Sequence, residues 1–171
     1  HFLFNCLNTI SSLLYKDTGR AERFIRQLAK AYNHTLESRN EPVIPLTKEL
    51  EFVEAYRYLL SVRFQDQVDV EVKLSDDALA SVVPPMTVQL LVENAVKHNV
   101  ISHEEKLYIS IHQQRKGLVI SNNKTKKPDR TTSFRIGLEN IQNRYQLLHK
   151  RGIKVIDEVD EFAIWLPIIQ S

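Results

Sequence analysis

The spacing of apolar residues changes near residue 67, and this change limits the possible folds more than any other feature of the sequence. Before it, apolar side chains recur every three or four residues, which is the spacing of one helix face. The first such face carries Leu3, Leu7, Ile10 and Leu14. Between Val68 and Leu74 apolar and polar residues alternate instead, as they do in a half-buried strand. We therefore expect an α+β chain, with a helical region over 1–66 and a mixed region over 67–171.

The helical region is predicted to contain a helical hairpin. Asp17-Thr18-Gly19 interrupts the first apolar face and a second face follows over 21–36, so a short turn should join two antiparallel helices. Pro42 and Pro45 then end the second helix. One hairpin has few partners for its apolar faces within a single chain. We therefore expect two copies to associate as a dimeric four-helix bundle.

After the hairpin, the sequence predicts a third helix and then a two-layer α/β sandwich. Thr47 can cap the third helix through its hydroxyl, with Glu49 and Glu51 in the first turn, where they suit the helix dipole. The later segments change between strand-like and helix-like patterns. Strands are expected at 68–74, 106–113, 116–121, 153–159 and 161–168, and a last helix at 138–149.

The composition excludes several classes of protein. The chain has 171 residues, a net charge of +2 and one cysteine, Cys6, which rules out an intrachain disulfide and a zinc site made of several cysteines. None of the four glycines precedes a lysine, and no three have the spacing Gly-x-Gly-x-x-Gly, so the common phosphate loops are absent. No apolar run reaches the ~20 residues that span a bilayer. Because the sequence starts at His1 rather than Met, we expect a fragment of a longer protein, with any membrane segment upstream.

One segment carries most of the chemical information. Pro84-Pro85 can open a helix, and on that helix Asn94, Lys97 and His98 are three and four residues apart and share a face. An amide oxygen suits Mg²⁺, which keeps most of its water and phosphate ligands, and a lysine supplies a point charge for phosphate. An ordinary amphipathic helix with a solvated polar face shows the same spacing. The spacing by itself therefore leaves both interpretations open.

Three motifs, in order along the chain, resemble those of one protein family. The segment 84–99 resembles the N box of the GHKL ATP-binding fold, in the form that LytS-type bacterial sensor histidine kinases carry. Residues 1–5, His-Phe-Leu-Phe-Asn, resemble the phosphoacceptor motif of that family, and residues 136–140, Ile-Gly-Leu-Glu-Asn, followed by Arg144, resemble its glycine box. The resemblance implies a dimerisation and phosphotransfer hairpin over 1–66, followed by a GHKL catalytic domain over 67–171.

The family resemblance also implies ligands and partners. It implies that the chain binds ATP and Mg²⁺, forms a homodimer and passes a phosphoryl group to the receiver domain of a response regulator. It further implies the cytoplasmic portion of an inner-membrane sensor, attached to the membrane only through segments outside this sequence.

For the phosphotransfer step, the resemblance assigns five residues. His1 would attack the γ-phosphate, and a neutral imidazole with a free lone pair suits this role at cytoplasmic pH. The residue alone is better explained as an exposed terminus, and the Phe-Leu-Phe-Asn that follows it favours the phosphoacceptor. Asn94 would hold Mg²⁺, and Glu93 would orient the ligands of the metal or a water molecule. Lys97 and His98 would contact phosphate or its surroundings.

For nucleotide binding, the resemblance assigns a second group of residues. Gly137 would let the backbone approach the phosphates, with Leu138 and Asn140 at a helix start, where free N–H groups favour anions. Asn122 and Asn123 stand where the family often has Asp-Asn-Gly, whose aspartate recognises adenine. From the residues alone, Gly137 can also be a packing glycine and the two asparagines an ordinary turn.

Three positions depart from the family pattern. Asn122 replaces the aspartate and so removes the charge from one hydrogen bond to adenine, Lys124 replaces a glycine, and Arg135 replaces the first glycine of the glycine box, where it would block or bind phosphate. Two functions therefore stay open: an active histidine kinase, and a dimeric signalling scaffold with an impaired ATP site. A nucleic-acid module over 115–130 is a third interpretation. That stretch has no aromatic residue to stack on bases, so we expect no nucleic-acid partner.

Overall fold

The computed structural model describes residues 2–37, 41–128, 135–149 and 152–170, and these residues form six α-helices and eight strands. The helices are α1 Phe2–Leu14, α2 Thr18–Glu37, α3 Leu46–Phe64, α4 Asp76–Leu79, α5 Thr87–Lys97 and α6 Arg135–His149. The strands are β1 Ile44–Pro45, β2 Val68–Lys73, β3 Ser81–Val83, β4 Leu107–Gln114, β5 Gly117–Asn123, β6 Lys154–Asp157, β7 Glu161–Pro167 and β8 Ile169–Gln170.

Helices α1 and α2 form the predicted hairpin. Asp17 ends the short turn between them, and its Oδ1 accepts a hydrogen bond from the backbone N–H of Arg20 at 2.9 Å, which satisfies one of the free donors at the start of α2. Cys6 of α1 and Phe24 of α2 are buried, whereas Leu7 of α1 is 54 % exposed. The outer face of α1 is therefore apolar and open in the single chain, as the predicted dimer requires, and the dimer itself stays a prediction.

A five-stranded mixed sheet forms one layer of the mixed region. Its strand order is β2-β4-β5-β7-β6, with β2 and β4 parallel and the other pairs antiparallel. Alternate side chains of β4 are buried, whereas Tyr108 between them is exposed, which is the period-two pattern of a sheet with one buried face. The helical layer contributes Leu59, Val92 and Tyr145, from α3, α5 and α6, to the same core. The predicted α+β class, a helical hairpin followed by a two-layer sandwich, is confirmed.

The third helix differs in its details from the prediction. It begins at Leu46, and Pro45 occupies the N-cap position without a side-chain hydrogen bond, so the prediction that Thr47 caps this helix is wrong. Glu49 lies in the first turn as expected but is fully buried. Its carboxylate does not face solvent at the start of α3. It binds the start of α5, as described below.

Four short elements lie where the sequence predicted none. Strands β1, β3 and β8 form a separate antiparallel sheet in the order β1-β3-β8. Helix α4 is a single turn, capped by Ser75, whose Oγ accepts from Ala78 N at 3.2 Å. Helix α3 packs against both α2 and α5. The division of the chain between residues 66 and 67 stays a prediction, since α3 connects the two sides of it.

In the described part of the chain, no helix combines the length and the apolar character that crossing a membrane requires.

Candidate nucleotide-binding site

A cavity of about 280 Å³ lies between α5, the end of β5 and the loop that follows β5. Its apolar wall is formed by Leu91, Ala95 and Phe162. Its polar wall is formed by Asn94, His98, Asn99, Asn122, Lys124, Thr125, Lys127 and Asp157. The cavity therefore has apolar walls that suit a flat ring and several convergent polar groups, a combination typical of small-molecule sites.

The start of α5 is held by a buried carboxylate from α3. Glu49 Oε1 accepts from the N–H of Met86 at 2.8 Å, and Oε2 accepts from the N–H groups of Val88 and Gln89 at 2.9 and 3.1 Å. Burial raises the pKa of Glu49, and the three backbone hydrogen bonds oppose that rise. A carboxylate at this end of a helix also meets the positive end of its dipole. Glu49 therefore fixes where α5 begins, and with it the side chains that α5 presents to the cavity.

The loop before α5 is also held by a contact from α6. Met86 adopts a left-handed conformation with φ 63°, which turns the chain into the helix. Arg144 of α6 donates from its guanidinium to the carbonyl oxygen of Pro85 at 2.9 Å. Arg144, part of the motif that resembles a glycine box, therefore binds the entry to α5.

Asn94 lies on α5, His98 is the C-cap residue one turn further on, and both line the cavity. The Asn94 side chain is half-buried and has no hydrogen-bond partner among the described residues, which leaves its amide oxygen open to a ligand. Burial lowers the pKa of His98, and the charges of Lys97 and Lys127 lower it further. Lys97 itself is exposed and lies outside the cavity wall. Of the three residues predicted to share a face, the structure brings two to the cavity.

Glu93 lies on another side of α5 from the cavity. Its Oε1 accepts from Gln89 Nε2 at 3.1 Å. Burial raises its pKa, while the hydrogen bond from Gln89 and the charge of Lys97 lower it. The pKa of Tyr56 on α3 is raised by burial first and then by the charge of Glu93. The pKa of Tyr32 on α2 is raised by burial first, then by Cys6 and then by Glu93. The carboxylate of Glu93 therefore faces the helical region.

The two asparagines at the end of β5 have different roles. Asn122 is buried and lines the cavity, and its Nδ2 donates to the carbonyl oxygen of Asn123 at 2.7 Å. Asn123 instead accepts from the N–H of Tyr108 at 2.7 Å and donates to the carbonyl oxygen of Lys106 at 2.9 Å. Asn123 thus fixes the start of β4. Only Asn122 of this pair is placed to meet a bound molecule.

A network of hydrogen bonds joins the end of α5 to the loop after β5, and we call it the Asn99–Thr125 clasp. The buried Asn99 donates from Nδ2 to the carbonyl oxygen of Ala95 at 2.7 Å and accepts from the N–H of Thr125 at 2.8 Å. Thr125 Oγ1 donates to the carbonyl oxygen of Val100 at 2.7 Å, and the N–H of Val100 donates to the carbonyl oxygen of Lys126 at 2.9 Å. Sequence reasoning missed this network because its two sides are 26 residues apart.

Two lysines of that loop have acidic partners. Lys124 pairs with Asp157 Oδ1 at 2.5 Å and also donates to the carbonyl oxygen of Glu158. Lys126 pairs with Glu105 at 3.6 Å. Asp157 was not singled out by the sequence because nothing in the alternating pattern of β6 distinguishes it from other exposed strand residues.

The remaining predicted residues lie apart from the cavity or outside the described residues. A Cβ on Gly137 would have no atom within 4 Å, Leu138 packs against the core, and Asn140 is exposed; none of the three lines the cavity. Arg135 begins α6, but its side chain is outside the described part of the structure. His1 is also outside the described residues.

The donors around the cavity fit Mg²⁺ that arrives together with phosphate. Among the described residues, no group of three or more His, Cys, Asp or Glu side chains could hold a metal ion. The amide oxygen of Asn94, which lines the cavity, has no hydrogen-bond partner among the described residues. Mg²⁺ commonly takes one or two protein ligands and fills its octahedron with phosphate oxygens and water. The chain thus provides a position for the ion only in the presence of a phosphorylated ligand.

Comparisons with known proteins show which family the chain resembles. The family model described as Histidine kinase matches residues 1–68. The Sensor protein LytS of Staphylococcus saprophyticus is 35% identical over 123 residues, which cover 71% of this chain and 21% of that protein. The LytS protein of Enterococcus faecalis is 36% identical over 111 residues, covering 65% of this chain and 19% of that protein. This chain therefore corresponds to about a fifth of the length of these curated relatives.

Solved structures give a weaker similarity. The catalytic domain of the histidine kinase ThkA aligns with a TM-score of 0.49 at 14% identity, over 75% of this chain and 97% of that one. A structure of ThkA in complex with the response regulator protein TrrA aligns with a TM-score of 0.49 at 13% identity, over 98% of this chain and 59% of that one. The motifs, the matched family and the relatives agree, and the chain belongs to the LytS-type sensor histidine kinases.

Proposed function

We propose that this chain binds Mg-ATP in the cavity between α5 and β5, phosphorylates His1 within a homodimer, and passes the phosphoryl group to an aspartate of a response regulator. One observation carries the proposal: Asn94, His98 and Asn122, from two distant segments, line the same cavity of about 280 Å³. That volume is just below the ~300–1,000 Å³ typical of ligand pockets. It accommodates a nucleobase, with the phosphates extending toward the loop after β5.

The adenine would lie between the apolar wall and Asn122. Leu91 and Ala95 of α5 and Phe162 of β7 offer surfaces for a flat ring. Because Asn122 Nδ2 is used by the carbonyl oxygen of Asn123, its Oδ1 is the atom left to accept from the amino group of adenine. This hydrogen bond has no charge on the acceptor, so we expect it to be weaker than one to an aspartate.

The phosphates and the metal would lie at the Asn94 end of the cavity. The Asn94 amide oxygen would be the protein ligand of Mg²⁺, which supplies neutralisation of phosphate charge when bound. His98, one turn further on, has a lowered pKa and so stays neutral at cytoplasmic pH. A neutral imidazole can donate one hydrogen bond to a phosphate oxygen or to its water shell.

In the phosphotransfer step the protein mainly positions the reacting groups and neutralises charge. A ring nitrogen of His1 would form the new bond to the γ-phosphorus as the bond to the bridging oxygen breaks, and ADP leaves with that oxygen. The phosphohistidine would then donate the phosphoryl group to the carboxylate of a receiver-domain aspartate. The family supports this assignment, as it supports a cytoplasmic position for this part of a membrane sensor.

The test is calorimetric titration of the chain with a non-hydrolysable Mg-ATP analogue. We expect the wild type to bind and Asn94→Ala to bind about tenfold more weakly or not at all, which corresponds to at least about 1.4 kcal/mol. Asn33→Ala, at an exposed position on α2, is the matched control and should bind like the wild type. Equal binding by Asn94→Ala and the wild type would remove Asn94 from the site.

A second candidate function is a dimeric signalling scaffold whose ATP site is impaired. The observation that favours it is the ion pair of Lys124 with Asp157 at the cavity, in a position where the family pattern has glycine and leaves space. Restoring the pattern with Asn122→Asp and Arg135→Gly distinguishes the two functions. A large gain in affinity for the Mg-ATP analogue supports impairment, whereas an unchanged affinity supports a working site.

A further inference from the structure

We propose that Lys127 binds the phosphate chain of the nucleotide and determines the preference of the cavity for a phosphorylated ligand, with the Asn99–Thr125 clasp positioning it. This inference rests on the proposed function, since it concerns the same cavity. It assigns to Lys127 the phosphate-binding role that the sequence suggested for Lys97.

Four lysines lie near the cavity, and their surroundings differ. Lys97 is exposed and outside the cavity wall. Lys124 lines the cavity, but Asp157 neutralises it at 2.5 Å. Lys126 pairs with Glu105 at 3.6 Å and is not part of the wall. Lys127 lines the cavity and has no ion-pair partner among the described residues. Among the described residues, Lys127 is therefore the lysine of the cavity wall whose charge no carboxylate neutralises.

The charge of Lys127 acts at the end of the cavity where the phosphates are proposed to lie. Its charge reaches His98, where it contributes to the lowered pKa of the imidazole. His98 is one helical turn beyond Asn94, the proposed ligand of the metal. Adenine would lie by Asn122, on β5. An ammonium near His98 therefore meets the charged part of the ligand.

The clasp fixes the backbone that carries Lys127. Thr125 is held by Asn99 through its N–H at 2.8 Å and by Val100 through its hydroxyl at 2.7 Å. The carbonyl oxygen of Lys126 accepts from the N–H of Val100 at 2.9 Å. The residue next to Lys127 is thus tied to the end of α5. Fixing the backbone reduces the conformational entropy that the lysine loses when it binds phosphate.

A lysine that binds phosphate affects the affinity for a triphosphate but not the affinity for adenosine. Phosphates carry several negative charges, and an ammonium makes charge-assisted hydrogen bonds with them. Adenosine has no phosphate, so it fills the base-binding part of the cavity without meeting this charge. Loss of Lys127 should therefore weaken binding of a triphosphate and leave binding of adenosine unchanged.

The experiment is titration of the wild type, Lys127→Gln and Lys126→Gln with a non-hydrolysable Mg-ATP analogue and, separately, with adenosine. Lys126→Gln is the matched control, since it removes the same charge from the adjacent residue. We expect Lys127→Gln to bind the analogue about tenfold more weakly, as the loss of one charge-assisted contact predicts. Its affinity for adenosine, and both affinities of Lys126→Gln, should stay within about twofold of the wild type.

The role of the clasp is tested with two substitutions at Thr125. Thr125→Val removes the hydroxyl that binds Val100, and we expect it to weaken binding of the analogue severalfold while adenosine binds as before. Thr125→Ser keeps the hydroxyl and should restore the affinity for the analogue. A general loss of folding would instead weaken both ligands together.

Three results would overturn the inference. Equal affinities of Lys127→Gln and Lys126→Gln for the analogue would show that Lys127 has no special contact with phosphate. A parallel loss of adenosine binding in Lys127→Gln would show that the lysine acts on the shape of the cavity. If the wild type binds neither ligand, both the proposed function and this inference are wrong. The titration of the wild type alone shows this, before any variant is made.

Discussion

Glu49 is a buried carboxylate that accepts three hydrogen bonds from the backbone at the start of α5. In Glu49→Gln one acceptor oxygen becomes an NH₂ group that faces backbone donors, and the charge near the positive end of the helix is lost. We expect the free energy of unfolding to fall by about 2–3 kcal/mol, as measured by urea denaturation. Glu51→Gln, an exposed position on the same helix with only a 3.9 Å pair to Lys48, should change it by less than about 1 kcal/mol. Similar losses in both variants would contradict the role of Glu49 as a cap.

His98 gives the chain a predictable response to acid. Its folded-state pKa lies below the usual 6.5 because of burial and then the charges of Lys97 and Lys127. On acidification the unfolded chain therefore binds this proton first, so stability is present above 6.5 and is lost as the pH falls toward the folded-state pKa. We expect His98→Gln to show a shallower decline of stability than the wild type over that window, measured by urea denaturation at several pH values. The exposed His103→Gln is the control, and an identical slope for His98→Gln and the wild type would exclude this contribution.

At the level of single residues, the sequence could place some site residues and not others. Asn94 and His98 are four apart on one helix, so their spacing predicts a shared face, and the structure brings both to the cavity. Lys97 is three residues after Asn94, so its spacing also predicts the shared face, but its side chain is exposed. The function of Asn123 depends on Lys106 and Tyr108, which lie on a neighbouring strand. Partners across strands are not visible from local spacing, and for the same reason the clasp was missed.

At the level of elements, long helices and strands are easier to predict from the sequence than short ones. Helices α1, α2 and α6 and strands β2, β4, β5 and β7 each contain enough residues to show a period, and the sequence indicates all of them. Strand β3 has three residues and pairs with β1, from the region predicted to be helical, and with β8, near the C-terminal end of the mixed region. Such short strands have no period of their own, since their structure comes from pairing rather than from the local sequence.

The β4–β5 hairpin and β7 provide a test at this scale. A Cβ at Gly117 would overlap the indole ring of Trp165 on β7, so Gly117→Ala must displace the ring or separate the strands. We expect a loss of about 1–3 kcal/mol in the free energy of unfolding, measured by thermal or urea denaturation. Gly19→Ala is the matched control, because its nearest neighbour, Asp17 Oδ1, is at an ordinary 3.5 Å and alanine favours helix α2. A stable Gly117→Ala variant would show that the indole ring can move without cost.

At the level of the whole molecule, the helical hairpin and the cavity share one continuous core. Helix α3 contacts both α2 and α5, Glu49 of α3 holds the start of α5, and the charge of Glu93 on α5 reaches Tyr56 of α3. A displacement of α3 would therefore change the position of α5, and with it Asn94 and His98. The packing provides a physical path between the hairpin and the proposed nucleotide site.

The outer face of α1 determines the expected assembly of the molecule. Phe4 and Leu7 are 64 % and 54 % exposed on it, and covering such side chains contributes about 25 cal/mol per Å² of apolar area. We expect the wild type to elute with about twice the chain mass of 19.9 kDa in size-exclusion chromatography with light scattering. The double variant Phe4→Asp/Leu7→Asp should elute as a monomer, because burying two carboxylates in the interface is costly. Leu147→Asp, at a position that is 87 % exposed on α6, controls for the loss of an apolar surface residue and should remain dimeric. A monomeric wild type, or dissociation caused equally by Leu147→Asp, would show that this face of α1 does not form the dimer.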